Sequence, residues 1–417
     1  MATLALKNPL LRDHDGRRLV VAQFADHFAI GIANVALPWL VLSGGGGVGL
    51  AGLVFAVGTL PYLLFGLFAG VAGDRRSRKR IMLAAYPLQA LVAGVIPVWA
   101  FVAGQPPVTL VLLCAFAVGV GRVYVDAASF GAVADIIGRE HFTQGQAAFS
   151  VAWSAGQVAG PALGGVLIAV FGAAEAVAVE AACFVVGGLA ILSIRRPLAA
   201  HADAAATSAR EALRAGLAVI RDVPLLRLLT MVQVMWYFTV IATQALKVPF
   251  LREVLDLDAQ KAGWVLGIAA AMGVVGGAVV APLERRFGGV RLIAASAVVT
   301  GFAILALSVV DGFTVGALCY GIVALSSWIS ITSLIGERQQ HAPLHLQARV
   351  GITGRSIAFT ALTLGSLAAS GLASLVPLRA LYAGVGVTAL LIATWAVPAL
   401  LRAAAARDRA PAAAQVR

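Results

Sequence analysis

The sequence predicts an all-α polytopic membrane protein: twelve transmembrane helices in two six-helix, pseudo-symmetric halves. Three observations carry that prediction. Of 417 residues, 60% are hydrophobic and only 12% are charged, about half the charged share of soluble domains. Apolar windows of roughly 20 residues, enough to cross a bilayer as helix, recur about twelve times, centred near residues 31, 60, 92, 117, 159, 184, 238, 272, 301, 324, 363 and 390. The cations between them alternate in density. Of 31 Lys and Arg, the termini and the loops after even-numbered spans hold 25, the opposite loops hold three (Arg252, Lys261, Arg379), and three fall inside spans (Arg122, Lys247, Arg355).

That split is a positive-inside signal and predicts that both termini are cytoplasmic. It also accounts for the net charge of +12 as topology, with no nucleic-acid partner. Residues 1–17 are polar and no cleavage-type site follows the first apolar run, so the first span is expected to be retained. Cys114, Cys183 and Cys319 fall in three different spans and read as packing residues.

Taken in order, residues 1–194 form the first six-span half. Its first span carries Asp26, with His27 beside it and Asn34 eight residues on. Between the second and third spans, "GVAGDRRSRKRIM" puts six charges into seven positions. The fourth span holds Arg122 and Asp126, four apart and so a ready intrahelical pair. The fifth contains "GQVAGPALGG", in which Gly156, Gly160 and Gly164 share a face beside Pro161 and Gly165. Small residues four apart let backbones approach closely in lipid, with Gly273 and Gly277 of the eighth span as expected mates. The sixth span carries Glu180.

Residues 195–225 read as a cytoplasmic linker. Ser208 and Glu211 have capping-box spacing. Leu213, Leu217 and Ile220 oppose Arg210, Arg214 and Arg221, which predicts an amphipathic helix on the inner surface. The second half, residues 226–401, opens with Gln233, Trp236, Tyr237, Gln244 and Lys247, and a tail follows from 402 to 417. "GAVVAPLERRFGGVRLI" (277–293) aligns with residues 66–82, pairing Gly277 with Gly66 and Arg286 with Arg75. A short cationic loop at the same place in each half is expected of an internally duplicated transporter.

No lysine follows a glycine, so no Walker loop is present, and the chain lacks G-x-S-x-G, H-E-x-x-H and C-x-x-C. His341 and His345 are separated by Pro343, which argues against a helical ligand pair. No catalytic residue, metal site or cofactor is expected.

The loop "GVAGDRRSRKR" resembles the G-x-x-x-D-R-x-G-R-K motif of the major facilitator superfamily through Gly70, Asp74, Arg75, Arg78 and Lys79, with Ser77 in place of the usual glycine. Segments in the first span, the fifth span and the linker resemble the exporter branch that includes macrolide efflux proteins and the enterobactin exporter. The resemblance implies that Asp74 docks between the halves, against the start of the eleventh span, as a cytoplasmic latch. The aligned position in the second half is Arg285. It also implies that Gly156, Gly160, Pro161, Gly164 and Gly165 form an antiporter motif associated with export, although tight packing alone would use the same glycines.

An unpaired charge in hydrocarbon costs at least about 2.5–3.5 kcal/mol, so Asp26, Asp126, Glu180, Arg122, Lys247 and Arg355 are expected to face the interior with partners. The carboxylates Asp26, Glu180 and Asp126 are the candidates for proton coupling. Asn34, Gln233, Trp236, Tyr237, Gln244, Tyr320 and Trp328 are the candidates for a substrate cavity. The reading is a monomeric secondary transporter of a bacterial inner membrane that exports a small amphipathic molecule in exchange for protons by alternating access. Uptake or lipid flipping on the same fold, or a membrane receptor that does not transport, are the other readings.

Overall fold

The computed structural model describes residues 8–138, 140–198, 209–342 and 346–408, and among these it is helical with no strand. Twelve long helices stand where the sequence expects spans. They are α1 His14–Ser43, α2 Val48–Arg75, α3 Arg78–Ala103, α4 Val108–Ile137, α5 Phe142–Phe171 and α6 Ala173–Leu192. The second set is α7 Pro224–Glu253, α8 Ala259–Phe287, α9 Gly289–Leu307, α10 Phe313–His341, α11 Gln347–Leu372 and α12 Leu378–Asp408. Eleven are long and apolar enough to cross a membrane; α11, with its Ser, Thr and Arg, is the exception among the described residues.

Helix α7 is broken. It runs as α-helix to Thr239, tightens to a 3₁₀ segment over Ile241–Leu246 and resumes as Lys247–Glu253. Thr239 and Thr243 turn their hydroxyls onto the carbonyls of Met235 and Val240, at 2.7 and 2.6 Å, bonds that compete with regular helix. Pro249, lacking an N–H, sits in the first turn of the resumed helix, where none is needed.

The chain forms two compact units. One gathers residues 1–206, 245–270 and 367–374; the other gathers 207–244, 271–366 and 375–417. The boundary therefore runs through α7, α8 and α11.

In the first unit the glycine-rich face of α5 is a seam. A Cβ on Gly160 would lie 2.7 Å from the Cα of Gly31, and one on Gly156 would lie 2.8 Å from the backbone N of Phe28, so α5 meets α1 backbone to backbone. The next residue round, Gly165, faces α8 instead: its Cβ would lie 2.4 Å from the Ala259 carbonyl and 2.8 Å from the Cα of Gly263. The mates of this motif are thus Gly31 and Gly263. Gly273 packs on Trp328 and Gly277 meets nothing within 4 Å, which corrects the expected pairing. The α2–α3 loop is tied inward. Arg78 pairs with Asp135 of α4 at 2.6 Å, and Lys79 donates to the Ile194 carbonyl at 2.6 Å.

In the second unit, α9 packs between α10 and α12. Gly301 admits Leu390, Gly386 admits Leu305, and Thr300 shares a 2.6 Å hydrogen bond with Ser326. The linker helix Ala209–Asp222 docks through Ile220, which clusters with Leu226, Ala342 and Val350, while Leu217 stays half exposed. The Ser208 half of the capping box lies outside the described residues, as do Pro343 and His345.

Candidate functional site

The charged cluster of the first unit is assembled by helix contacts. A Cβ on Gly119 of α4 would lie 2.4 Å from the Gly58 carbonyl and 3.1 Å from Pro61. That close approach brings Tyr62 of α2 against the next turn of α4, which carries Arg122 and Asp126. Tyr62 donates its hydroxyl to Asp126 Oδ2, and the Arg122 guanidinium lies 5.9 Å from the centre of the Tyr62 ring. Arg122 and Asp126, expected as a pair, both meet Tyr62, whose phenol is the hydrogen-bonding partner of the carboxylate.

Asp26 of α1 reaches the same cluster. Ligand atoms of Asp26, His27 and Asp126 all lie within 4.8 Å of one another. Asp26 is fully buried, and among the described residues neither of its oxygens has a hydrogen-bond partner. The His27 Nδ1 is 3.5 Å from Asp26 Oδ2, but it is engaged by Gln23, whose side-chain amide and backbone carbonyl both lie 3.2 Å away. The edge of Trp153 closes the far side of His27, with ring centroids 5.5 Å apart. Two carboxylates and an imidazole could hold a cation, yet Arg122 already places a fixed positive charge in the cluster, and a metal ion would have to bind against it.

Two further polar groups are buried in this unit. Glu180 is 2% exposed and, among the described residues, its Oε2 and both amide atoms of Gln89 lack hydrogen-bond partners. Gln89 lies against Gly121, one residue before Arg122. Asn34, by contrast, is exposed and is not part of the cluster. Lys247, at the restart of α7, is half-buried.

In the second unit, Gln233, Trp236 and Tyr237 line one pocket with Ser330 and Leu334. Trp236 is buried with its indole N–H unpartnered, and Gln244 is half-buried. Tyr320 is buried and shares a 2.9 Å hydrogen bond with Tyr382. Trp328 is partly exposed and covers Gly273. Arg355, expected to be buried, is exposed. Among the described residues of this unit the buried cation is Arg338, which in sequence reads as a loop charge near the end of α10. It is 2% exposed and donates to Gln233 Oε1 at 2.6 Å. Tyr62, Gln89 and Arg338 are the members that sequence reasoning missed. The only signals for them were polar residues within or just past apolar windows.

The latch motif divides in two. Arg78 and Lys79 are tied down as described, Arg75 and Arg76 are exposed, and the side chain of Asp74 lies outside the described residues.

Comparison with known proteins gives this architecture its relatives. A family profile described as Major Facilitator Superfamily matches residues 19–352. A multidrug efflux pump, Tap, of Mycolicibacterium fortuitum is 30% identical over 392 residues, covering 88% of this chain and 91% of that protein. A Tap pump of Mycobacterium tuberculosis is 31% identical over 177 residues, 39% of each chain. Among solved structures, the nucleoside transporter NupG aligns with a TM-score of 0.77 at 10% identity, covering 93% of this chain and 99% of that one. An inward-facing bacterial homologue of the iron transporter ferroportin aligns at 0.70 and 14%, covering 93% and 98%. At such identity the structural neighbours speak for the fold, while the profile, running from inside α1 to the start of α11, speaks for descent: this multi-pass membrane protein belongs to the Major Facilitator Superfamily.

Proposed function

We propose that this chain is a secondary efflux transporter that exports a small amphipathic molecule in exchange for protons, by alternating access. The relation to the Tap pump of Mycolicibacterium fortuitum over most of the chain supports the direction of transport. The observation that carries the coupling is Asp26, a buried carboxylate with no hydrogen-bond donor. Burying such a group charged and unpaired costs several kcal/mol, and in a cluster that already holds Arg122 the smallest partner that removes the cost is a proton. Asp126 already takes a hydrogen bond from Tyr62, so Glu180, whose Oε2 has no partner among the described residues, is the second candidate. His27 and Gln23 connect Asp26 to the rest of the polar face.

The charge split between loops supports a bacterial inner membrane with both termini in the cytoplasm. The chain acts as a monomer on small molecules and protons. Asp74 serves as the cytoplasmic latch, with Gly70 and Arg75 of the same motif beside it and Arg78 and Lys79 holding the loop. The pocket at Gln233, Trp236 and Tyr237 contributes to substrate contact.

The test is ethidium accumulation in cells expressing the protein. Wild type should lower accumulation, and a protonophore should abolish the difference. Asp26→Asn should reach the membrane in normal amount yet lose proton-driven export. Full, protonophore-sensitive export by Asp26→Asn would move the coupling role to Glu180. No export by the wild type would remove the transport reading for this substrate class.

A further inference from the structure

Arg338 poses a problem that the transport cycle does not solve. A guanidinium stays charged at all accessible pH, and a cation that is 2% exposed needs a compensating anion. Among the described residues its one hydrogen-bond partner is neutral, the Oε1 of Gln233 at 2.6 Å, and its Nε has none. Glu337, next in sequence, points elsewhere, packing on Gly289 and lying 3.6 Å from His341.

The surroundings are nevertheless built to hold the guanidinium. A Cβ on Gly354 would lie 2.0 Å from Arg338 Nη1, so glycine at that position is what admits the group between α10 and α11. Beside it opens a pocket of about 100 Å³ lined by Ile335, Arg338, Gln339, Gln347, Val350, Gly351 and Arg355. Two of these are arginines, two are amides and none is acidic.

We propose that this pocket binds a phosphate-type anion, with Arg338 as the buried anchor and Arg355 as the exposed second contact. Arginine offers a planar fork of donors that matches phosphate oxygens in pairs. The pocket lies within a turn of the end of α10 and about two turns of the start of α11, the level at which a spanning helix meets lipid headgroups. The phosphate is therefore that of an anionic phospholipid or a free inorganic anion, and the two sources separate experimentally.

The purified full-length protein is melted, followed by tryptophan fluorescence, in nanodiscs of phosphatidylcholine with and without phosphatidylglycerol. It is also melted in neutral detergent with inorganic phosphate or chloride at matched ionic strength. Stabilisation by phosphatidylglycerol alone assigns the site to a lipid headgroup, and stabilisation by phosphate in detergent as well assigns it to any phosphate monoester or free anion. In either case Arg355→Gln, an exposed and foldable change, should weaken the apparent affinity about tenfold, the loss of one charged hydrogen bond. Arg286→Gln, an exposed cation outside the pocket, should leave it unchanged. Equal losses in the two variants, or no stabilisation by either anion source in the wild type, would overturn the proposal.

Discussion

At the scale of the residue, the coupling role proposed for the polar cluster of the first unit sets stability against function. Asp26 is buried with both oxygens unpartnered among the described residues, so replacing it with Asn, close in shape to a protonated Asp, deletes no hydrogen bond. Asp26→Asn should therefore be as stable as wild type in thermal unfolding, even as coupling is lost; marked destabilisation would mean that the carboxylate has a structural partner. Tyr62→Phe should do the opposite. It deletes the donor to Asp126, a charged hydrogen bond worth about 1.5–3 kcal/mol. The variant should unfold earlier in detergent by that amount, and its export should show a displaced pH profile. Unchanged stability and profile together would separate Tyr62 from the site. Asp26, Arg122 and Asp126 were legible in the sequence because each is a charge inside an apolar run, a pattern too costly to be incidental. Tyr62 and Gln89 were not, since a neutral residue in a span carries no such cost until packing shows what it faces. Arg338 read as topology because it stands among the polar residues that close α10.

At the scale of the element, two glycines five residues apart on α5 have separable roles. Gly160 meets Gly31 of α1 and Gly165 meets Gly263 of α8, both at distances no side chain can enter. Alanine at 160 should push α1 and α5 apart, an overpacking cost of about 1–3 kcal/mol, and should reduce the amount of folded protein. Alanine at 165 acts on a contact with α8, a helix that the boundary between the two units divides. It should leave the amount of folded protein nearer wild type while lowering transport. Equal loss of folded protein in both variants would make the α5–α8 contact one more static packing site. The glycine spacing was visible in the sequence, but its mates were not, because many glycines have suitable spacing and only the crossing of the helices chooses among them. The break in α7 was equally hidden: the polar residues from Gln233 to Lys247 keep helical spacing across a segment that is in fact 3₁₀.

A second element-scale prediction concerns the start of α8. Asp258 accepts a 2.8 Å hydrogen bond from the Lys261 backbone N–H, and its carbonyl takes the Ala262 N–H at 2.9 Å. The Lys261 N–H holds the Asp258 carboxyl below the usual carboxylate range, assisted by the Lys261 ammonium. Because the folded state favours the ionised form, the stabilisation is complete above the ordinary carboxylate pKa and is lost as the pH falls through the lowered one. Asp258→Ala should cost about 1 kcal/mol at neutral pH, as for other helix caps, and the gap between variant and wild type should close on acidification. A gap that persists in acid would assign the effect to something other than the charged cap.

At the scale of the whole molecule, the twelve helices were legible because each carries its own apolar window, a local property that needs no tertiary information. The grouping of those helices was not. Residues 245–270 and 367–374, from the second half of the sequence, pack with the first six helices, and nothing in their composition marks them for it. Orientation lies between the two: it is written in the loops, yet it is a property of the chain as inserted. The 25-to-3 division of Lys and Arg predicts that the α2–α3 and α8–α9 joints face the cytoplasm and that the α7–α8 and α9–α10 connections face outward. Arg76 and Arg285 are exposed at the first pair, and Gln260 and Val309 at the second, so a cysteine at any of the four should be reachable without disturbing a contact. With Cys114, Cys183 and Cys319 replaced, Gln260→Cys and Val309→Cys should react with a membrane-impermeant maleimide in intact cells. Arg76→Cys and Arg285→Cys should react only after the cells are opened. Each arginine variant removes a single charge from the majority side, too few to invert the chain. Labelling in the reverse order would turn the molecule over, moving the Asp74 loop to the outer face, where it could not latch the cytoplasmic side, and taking the Arg338 pocket to the outer leaflet with it.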